Sequence, residues 1–254
     1  MNKSGNTILI TGGGSGIGAA LAQRFHDLGN TVIVAGRRQD ALDATIAGRP
    51  NMHAMTLDVE SEAGIADFAG RLLAAHPDVN VLINNAGIMR FEALDRSRDL
   101  ADAEATITTN LLGPIRVTNA LIDHLATKSG AAIVNVTSGL AFVPLVMTPT
   151  YNATKAAIHS YTVSLRAALE GKVEVIELAP PAVQTGLTPG QETLEGYQPL
   201  NEFIDEVMAL FAQTPTPSEI LVQRVKFLRN AEAEGRFDKT LQQLNETVTK
   251  ARHG

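Results

Sequence analysis

The sequence predicts a single α/β domain in which helices cover both faces of a parallel β-sheet. Short β-branched runs alternate along the chain with longer amphipathic stretches, which is the pattern of repeated βαβ units. A glycine-rich turn directly follows the first of these runs. The chain has 254 residues, of which 44% are hydrophobic, and these values suit one large globular domain. We therefore expect residues 1–254 to form one doubly wound α/β unit without an internal boundary.

Six apolar, β-branched runs are the candidate strands, and helices are expected in the gaps between them. Each run is short, as is typical of strands that helices bury on both faces. The predicted strands are Thr7–Thr11, Thr31–Ala35, His53–Leu57, Val79–Ile83, Ala131–Val136 and Val173–Leu178. The sequence leaves a seventh strand open.

The last third of the chain is expected to combine a long loop with helices. Residues 180–215 are rich in proline and glycine at their start, which predicts an irregular substrate loop or lid that ends in a helix at Asn201–Gln213. Residues 216–254 are expected to form a helical C-terminal tail. Thr216 would cap its first helix and Pro217 would occupy the first turn.

Charge and composition exclude several classes of function. The formal net charge is −6 and the basic residues form no cluster, so nucleic acid is not an expected partner. The six histidines are scattered and the chain has no cysteine, so we expect neither a metal site nor a disulfide. No apolar run reaches the roughly 18 residues of a membrane span, and the N-terminus is polar. We expect a cytoplasmic protein with no membrane partner.

The turn Thr11–Gly18 predicts a dinucleotide-binding site, because it follows a strand and begins a helix. Gly12 is expected to adopt a positive φ in this tight turn. A side chain at Gly16 or Gly18 would obstruct the diphosphate or the packing of the helix on the sheet. The N–H groups at the start of that helix would bind the diphosphate.

Arg37 and Arg38 follow the second predicted strand, where an NAD-dependent enzyme of this architecture presents a carboxylate to the ribose. Two guanidinium groups there would bind a 2′-phosphate. The pair also fits a solvated basic start of a helix, although cations at a helix N-terminus are disfavoured by the dipole. We therefore predict NADP(H) as the preferred cofactor and retain NAD(H) as the alternative.

Three polar side chains form a candidate acid–base site. Tyr151 and Lys155 are four residues apart in a helix predicted at Tyr151–Glu170 and share one face of it. Ser138 follows the strand Ala131–Val136 and could place its hydroxyl opposite the phenol. Bringing a phenol from pKa 10 to near 7 needs about 4 kcal/mol, which a nearby cation can supply. The Tyr-x-x-x-Lys spacing alone also fits an exposed helix pair.

Asn110 is followed four residues later by Pro114 within a predicted helical stretch. Because proline has no N–H, the Asn110 carbonyl loses its helical donor, which frees it for a water and bends the helix. We hypothesise that this water continues a proton relay from Tyr151 through Lys155 to solvent. If Pro114→Ala left both turnover and the solvent isotope effect unchanged, the hypothesis of a proton relay would lose its support. Gly113 beside the proline also fits a simple kink.

These motifs resemble those of the short-chain dehydrogenase/reductase superfamily, in its single-domain Tyr-x-x-x-Lys type, over nearly the whole chain. Thr11–Gly18 matches the family's glycine motif and Asn84–Gly87 matches its signature after the fourth strand. The family's catalytic tetrad falls on Asn110, Ser138, Tyr151 and Lys155. The resemblance implies a Rossmann-type fold, hydride transfer from the nicotinamide C4 and Tyr151 as the general acid in reduction.

The resemblance also implies cofactor contacts and an oligomer. Asp58 is expected at the adenine, Thr185 at the nicotinamide carboxamide and Lys155 at the nicotinamide ribose. The expected cofactor-binding residues are Gly12, Gly14, Ser15, Gly16, Ile17, Gly18, Arg37, Arg38, Asp58, Val59, Asn85, Ala86, Gly87, Tyr151, Lys155, Pro180, Val183 and Thr185. Because members of the family commonly form homodimers or homotetramers, the resemblance implies one of these assemblies.

Two departures from the family pattern concern the end of the chain. Pro180–Pro181 replaces the usual Pro-Gly after the sixth strand, and Ala231–His253 is charged and helical in pattern. The second departure puts the seventh strand and the tetramer contact that it often builds in doubt. In these two features together the chain resembles the branch of the family that includes the DltE-type oxidoreductases.

The sequence therefore predicts an NADP(H)-dependent oxidoreductase that acts on a carbonyl or secondary alcohol of a moderately apolar small molecule. Arg90 could meet a carboxylate at the rim. The candidate substrate wall is Met89, Phe91, Gly139, Leu140, Phe142, Val143, Val146, Met147, Leu187 and Tyr197. One alternative is a non-catalytic NADP(H)-binding sensor of the same fold, although sensors usually lack the tyrosine or the lysine. Another is a sugar-nucleotide epimerase or dehydratase, which usually needs a longer C-terminal domain.

Overall fold

The computed structural model describes residues 1–253, with side chains through Val248. Seven parallel strands form one sheet in the order β3-β2-β1-β4-β5-β6-β7. The strands are β1 Thr7–Thr11, β2 Thr31–Gly36, β3 Met52–Thr56, β4 Val81–Asn84, β5 Ala132–Val136, β6 Glu174–Leu178 and β7 Glu219–Ile220. The strand order reverses between β1 and β4, and ligands of such sheets bind outside the carboxyl ends of the strands at this point. The predicted doubly wound fold and its six strands are confirmed.

Helices cover both faces of the sheet. They are α1 Gly16–Asp27, α2 Gln39–Ile46, α3 Glu62–Ala75, α4 Ala101–Ile107, α5 Gly113–Leu125, α6 Pro149–Ala168, α7 Leu200–Phe211, α8 Lys226–Arg229 and α9 Phe237–His253. Because successive strand residues face opposite sides, the sheet has two apolar cores. Ile8 and Ile10 pack with α1, α2 and α7, whereas Leu9 packs with α3 and α5. Among the described residues, no helix is both long and apolar enough to cross a bilayer.

The C-terminal region corrects one prediction. The prediction that a helix starts at Thr216 is wrong. The chain instead forms a strand at Glu219–Ile220, which pairs with Glu177–Leu178 of β6. Ile220 and Val222 are both buried, with the two-residue period of a strand that β6 can extend. The hydroxyl of Thr216 accepts a hydrogen bond from the N-terminal ammonium. The seventh strand that the sequence left open is therefore present.

The remaining tail and the loop before it agree with the sequence more closely. Helices α8 and α9 confirm a helical end to the chain, and α7 lies within two residues of the predicted Asn201–Gln213. The loop between β6 and α7 is irregular apart from one 3₁₀ turn at Gln191–Thr193 and a bridge between Val183 and Gln198. Its role as a lid stays a prediction.

Candidate active site

Tyr151 and Lys155 lie one turn apart on the buried face of α6. The helix begins at Pro149, a residue that suits the first turn. Tyr151 is 6% exposed and Lys155 is 5% exposed. Ser138 is buried two residues after the end of β5, and its side chain hydrogen-bonds the Tyr151 phenol. The structure therefore brings the three predicted acid–base groups together at the carboxyl end of the sheet.

Backbone contacts hold Lys155 and Asn110 in place. Nζ of Lys155 donates a hydrogen bond to the carbonyl oxygen of Val136 at 2.8 Å and lies 5.6 Å from the ring centroid of Tyr151. Asn110 is buried, and its amide exchanges two hydrogen bonds with the backbone of Ile88, at 2.9 and 2.8 Å. Asn110 therefore fixes the segment that follows β4.

Asn110 lies in a π turn, Thr108–Leu112, between α4 and α5. The N–H of Gly113 donates to the carbonyl oxygen of Thr108, five residues earlier. Pro114 follows in the first turn of α5. Regular α-helical hydrogen bonding is therefore interrupted at Asn110, and π turns frequently mark functional sites. The expected bend of the helix stays a prediction. The proton relay through a water at Asn110 stays a prediction.

Burial shifts the pKa values of the acid–base pair in opposite directions. It raises the pKa of the Tyr151 phenol to about 12, and the hydrogen bond with Ser138 acts against this rise. It lowers the pKa of the Lys155 ammonium to about 8. The lowered tyrosine pKa expected from the sequence is not found, because desolvation disfavours the charged form of each buried group. At neutral pH the phenol thus holds its proton, as a general acid must.

The glycine-rich turn packs against the segment after β4 with no room for side chains. Gly12 has φ +66°, and a Cβ there would lie 2.8 Å from Cα of Ala86. A Cβ at Gly18 would lie 2.4 Å from both Nδ2 of Asn85 and the carbonyl oxygen of Gly12. Nδ2 of Asn85 donates to the carbonyl oxygens of Thr11 and Gly12, at 3.0 and 3.2 Å. Asn85 thus joins the turn to β4, which explains the requirement for glycine at both positions.

One cavity of about 490 Å³ connects the glycine-rich turn with the acid–base groups, and a second cavity of about 200 Å³ adjoins it beside β2. The expected cofactor-binding residues that line them are Gly12, Gly14, Ser15, Gly16, Ile17, Arg37, Arg38, Val59, Asn85, Ala86, Gly87, Tyr151, Lys155, Pro180, Val183 and Thr185. Gly18 instead packs beneath the turn. Asp58 is exposed beside Val59, and its Oδ1 accepts the N–H of Glu60 at 3.0 Å.

The two arginines after β2 lie at the outer end of this cavity, with a carboxylate beside them. Nη1 of Arg37 lies 3.3 Å from Oε1 of Glu60, and Arg38 is exposed at the start of α2. Oε1 of Glu60 also accepts the hydroxyl of Thr109 at 2.8 Å. Sequence reasoning missed Glu60 and Thr109, because they come from different segments that only the fold joins.

Gln191 is a second residue that sequence reasoning missed. It is buried in the loop after β6 and lines the larger cavity. Its Nε2 donates to the carbonyl oxygen of Val183 at 2.9 Å and to the hydroxyl of Thr185 at 3.3 Å. Gln191 thus orients the threonine expected at the nicotinamide. A polar residue within an irregular loop gives no sequence signal for such a contact.

A smaller, apolar cavity of about 90 Å³ lies in front of Ser138 and Tyr151. Among the residues whose side chains the structure describes, none with a charge lines it, and Arg90 instead pairs with Asp102 at 3.4 Å. The predicted wall residues that line it are Met89, Gly139, Leu140, Leu187 and Tyr197. Those that pack elsewhere or face solvent are Phe91, Phe142, Val143, Val146 and Met147. Helices α8 and α9 add Leu228, Leu244 and Val248, which the sequence did not indicate.

A cluster of ionisable side chains contacts the chain segment that carries Ser138. We call Glu177, Glu219, His159 and Arg229 the carboxylate cluster. One ligand atom from each of the first three lies within 4.8 Å of the others, a grouping that the scattered sequence positions concealed. Nε and Nη2 of Arg229 each contact the carboxylate of Glu219 at 3.0 Å. The guanidinium therefore supplies the cation next to these carboxylates.

The glycine-rich turn at the reversal of the sheet and the buried Ser–Tyr–Lys group beside it together define a Rossmann-type protein with an acid–base site. The chain belongs to the short chain dehydrogenase family, whose family model matches residues 6–195. It is thus a member of an oxidoreductase family that acts on CH–OH and C=O groups.

Known proteins similar to this chain include both curated relatives and solved structures. The uncharacterized oxidoreductase DltE of Bacillus subtilis (strain 168) is 37% identical over 249 residues, which cover 96% of this chain and 98% of that protein. Sulfoacetaldehyde reductase 2 of Chromohalobacter salexigens is 36% identical over 71% of this chain and 74% of its own length. A short chain dehydrogenase from Burkholderia cenocepacia J2315 in complex with NADP has TM-score 0.80 and 26% identity, covering 92% of this chain and 94% of that chain. The resemblance to the DltE-type branch is therefore confirmed.

Proposed function

We propose that the protein is an NADP(H)-dependent oxidoreductase that interconverts a carbonyl and a secondary alcohol on a small, uncharged, moderately apolar molecule. One observation carries this proposal. A single cavity extends from the two arginines after β2 to Ser138, Tyr151 and Lys155. A long ligand with an anionic end and a reactive end fits such a cavity, and an apolar cavity for a second ligand adjoins its reactive end.

The residues present fit a dinucleotide. The space that Gly12 and Gly16 leave open is bordered by the N-terminus of α1, whose N–H groups favour a diphosphate. Arg37 and Arg38 would hold a 2′-phosphate, and Thr185 and Lys155 would hold the nicotinamide end. The NADP complex of the similar Burkholderia cenocepacia structure supports this cofactor. When bound, the nicotinamide supplies the hydride in reduction and accepts it in oxidation.

Tyr151, Ser138 and Lys155 would carry out the acid–base chemistry. Tyr151 donates its proton to the substrate oxygen during reduction, since burial keeps the phenol protonated. The N–H of Leu140 donates to Oγ of Ser138 at 3.1 Å, so the hydroxyl proton of Ser138 can point to that oxygen. Lys155, with a pKa of about 8, can return a proton to the tyrosine near neutral pH.

The apolar cavity supports an uncharged substrate. Its described lining residues, from Met89 to Val248, are apolar or neutral, so they offer no cation to a carboxylate or sulfonate that loses its hydration there. Sulfoacetaldehyde reductase 2 takes its name from an anionic aldehyde, and this substrate does not suit the cavity. A compact ketone or aldehyde does.

The protein is further proposed to be a cytoplasmic homodimer or homotetramer. Exposed apolar side chains on the helices around the π turn and on α6 support an interface, and they include Leu100, Ile107, Leu112 and Val163. The lack of cysteine suits a reducing compartment.

A panel of ketones and aldehydes with NADPH and NADH tests the proposal. Acetoacetate and its methyl ester form a matched pair in the panel, because they differ in one charge and share the reactive ketone. We expect oxidation of NADPH with neutral members and a higher kcat/KM for the ester than for acetoacetate. NADPH binding without turnover of any member would instead favour the NADP(H)-binding sensor.

A further inference from the structure

Glu177 and Glu219 occupy an unfavourable place in the sheet. They are direct partners in the parallel pairing of β6 and β7, so their side chains lie on the same face of the sheet. Glu177 is 0% exposed. Like charges on neighbouring strands repel, and a buried carboxylate costs free energy unless it is paired and hydrogen-bonded. An arrangement of this kind requires compensating contacts.

The rest of the carboxylate cluster supplies those contacts. Arg229 binds Glu219 through two nitrogens, and Nδ1 of His159 lies 2.8 Å from Oε2 of Glu177. The charge of Glu177 also acts on Arg229. His159 follows Lys155 by one turn on α6, so the cluster and the acid–base pair share that helix.

The cluster contacts both ends of the segment that carries Ser138. At one end, the hydroxyl of Thr137 donates to Oε1 of Glu177 at 2.7 Å. At the other end, the ring of Phe142 is packed between His159, at 5.0 Å between ring centroids, and the guanidinium of Arg229, at 4.8 Å.

Thr137 also lies between the two acid–base contacts. The preceding carbonyl, that of Val136, accepts Nζ of Lys155, and the following residue is Ser138, whose side chain contacts the Tyr151 phenol. A change in the orientation of Thr137 would thus move both contacts together.

We propose that Thr137 and Glu177 are positioning residues, which hold Ser138 and the Val136 carbonyl in the arrangement that the acid–base chemistry needs. This inference rests on the proposed function. It gives the carboxylate cluster a role in positioning the acid–base groups, in addition to joining β7 to the sheet. A displacement of about 1 Å at a reacting group can cost up to roughly 100-fold in rate.

The matched variants Thr137→Val and Thr137→Ser test the inference with NADPH and a neutral ketone. Valine keeps the shape of the side chain and removes the hydroxyl, whereas serine restores the hydroxyl. We expect Thr137→Val to lower kcat roughly 10- to 100-fold, with KM and the Kd for NADPH unchanged. Thr137→Ser should recover most of kcat, and Glu177→Met, which removes the oxygen that accepts the Thr137 hydroxyl, should resemble the valine variant.

Thr106→Val is the control, because it also removes a buried hydroxyl that donates at 2.7 Å, here to the carbonyl oxygen of Asp102 in α4. Its kcat should equal that of the wild type. A wild-type kcat in Thr137→Val would overturn the inference. Equal losses in Thr137→Val, Thr137→Ser and Thr106→Val would also overturn it, since general destabilisation would then explain them.

A measurement without turnover separates this inference from the proposed function. The chain has three tyrosines, and the ¹³Cζ resonance of Tyr151 can be assigned by its loss in Tyr151→Phe. Thr137→Val should move this resonance in the direction that Ser138→Ala moves it, and Thr137→Ser should not. Absence of turnover in the wild type would refute the proposed function alone. An unmoved resonance in Thr137→Val would refute the positioning role.

Discussion

Lys155 gives a prediction about stability that follows from its burial. Its pKa is lowered from an ordinary 10.5 to about 8, so the folded protein releases this proton at a lower pH than the unfolded chain. Between these values the unfolded state binds more protons, and the free energy of unfolding therefore rises with pH. From pH 8 to pH 10 the contribution of Lys155 changes by about 2 kcal/mol, because the full slope of about 1.4 kcal/mol per pH unit is not reached close to either pKa value.

Lys155→Met removes this titration. We expect the free energy of unfolding of the wild type, minus that of the variant, to increase by about 2 kcal/mol from pH 8 to pH 10. Urea unfolding followed by circular dichroism at pH 8, 9 and 10 measures it. The pH range ends at pH 10, which is the ordinary pKa of a tyrosine. Above it the raised pKa of Tyr151 makes the folded state bind more protons than the unfolded state, so the free energy of unfolding falls with pH.

Lys172→Met is the matched control, because Lys172 is an exposed lysine beyond the end of α6. Its difference from the wild type should stay constant over the same pH range. A constant difference for Lys155→Met as well would refute the burial of the ammonium and, with it, the role of Lys155 as a proton donor near neutral pH.

Three further variants test the cofactor site, the glycine-rich turn and the substrate cavity. Arg37→Ala combined with Arg38→Ala should weaken NADPH roughly 10- to 100-fold by fluorescence titration, through loss of charge-assisted hydrogen bonds, and leave NADH nearly unchanged; equal losses would remove the phosphate argument. Gly18→Ala should lower the free energy of unfolding by about 1–3 kcal/mol, because its Cβ would lie 2.4 Å from two atoms, whereas Gly70→Ala, in an open position on α3, should not destabilise. Leu244→Arg should raise the kcat/KM of acetoacetate relative to its methyl ester about tenfold, since it adds a cation to an uncharged cavity.

The control for the last variant is Gln243→Arg, which adds the same charge at an exposed position of α9. The ratio of the two substrates should stay at its wild-type value in this control. A preference of the wild-type protein for acetoacetate over the ester would contradict the assignment of an uncharged substrate.

The sequence predicted the sheet and the acid–base groups because both depend on local spacing. The apolar runs that form β1, β2, β4, β5 and β6 are recognisable by their β-branched residues. A spacing of four residues on a helix places Tyr151 and Lys155 on one face whatever the surroundings. Ser138 lies two residues after the end of β5, so its place at the carboxyl end of the sheet depends on the same strand. These features need no knowledge of distant contacts.

The features that the sequence missed depend on contacts between distant segments. Strand β7 has only two residues, Glu219–Ile220, and it exists because the edge of β6 accepts it. The carboxylate cluster forms through this pairing. The direction of the Tyr151 pKa shift depends on burial, which spacing does not reveal. Leu244 and Val248 reach the apolar cavity because Asn245 joins α9 to the loop before α6, where its Oδ1 accepts the N–H of Val146 at 2.7 Å.

The most direct test of the proposed function compares Tyr151→Phe with Tyr161→Phe, a change of the same kind on the same helix. Steady-state reduction of a neutral ketone by NADPH is measured together with the Kd for NADPH. We expect Tyr151→Phe to lose turnover by about 10²–10⁴-fold and to bind NADPH as the wild type does, with Tyr161→Phe close to the wild type in both. Full turnover in Tyr151→Phe would contradict the role of the phenol as general acid.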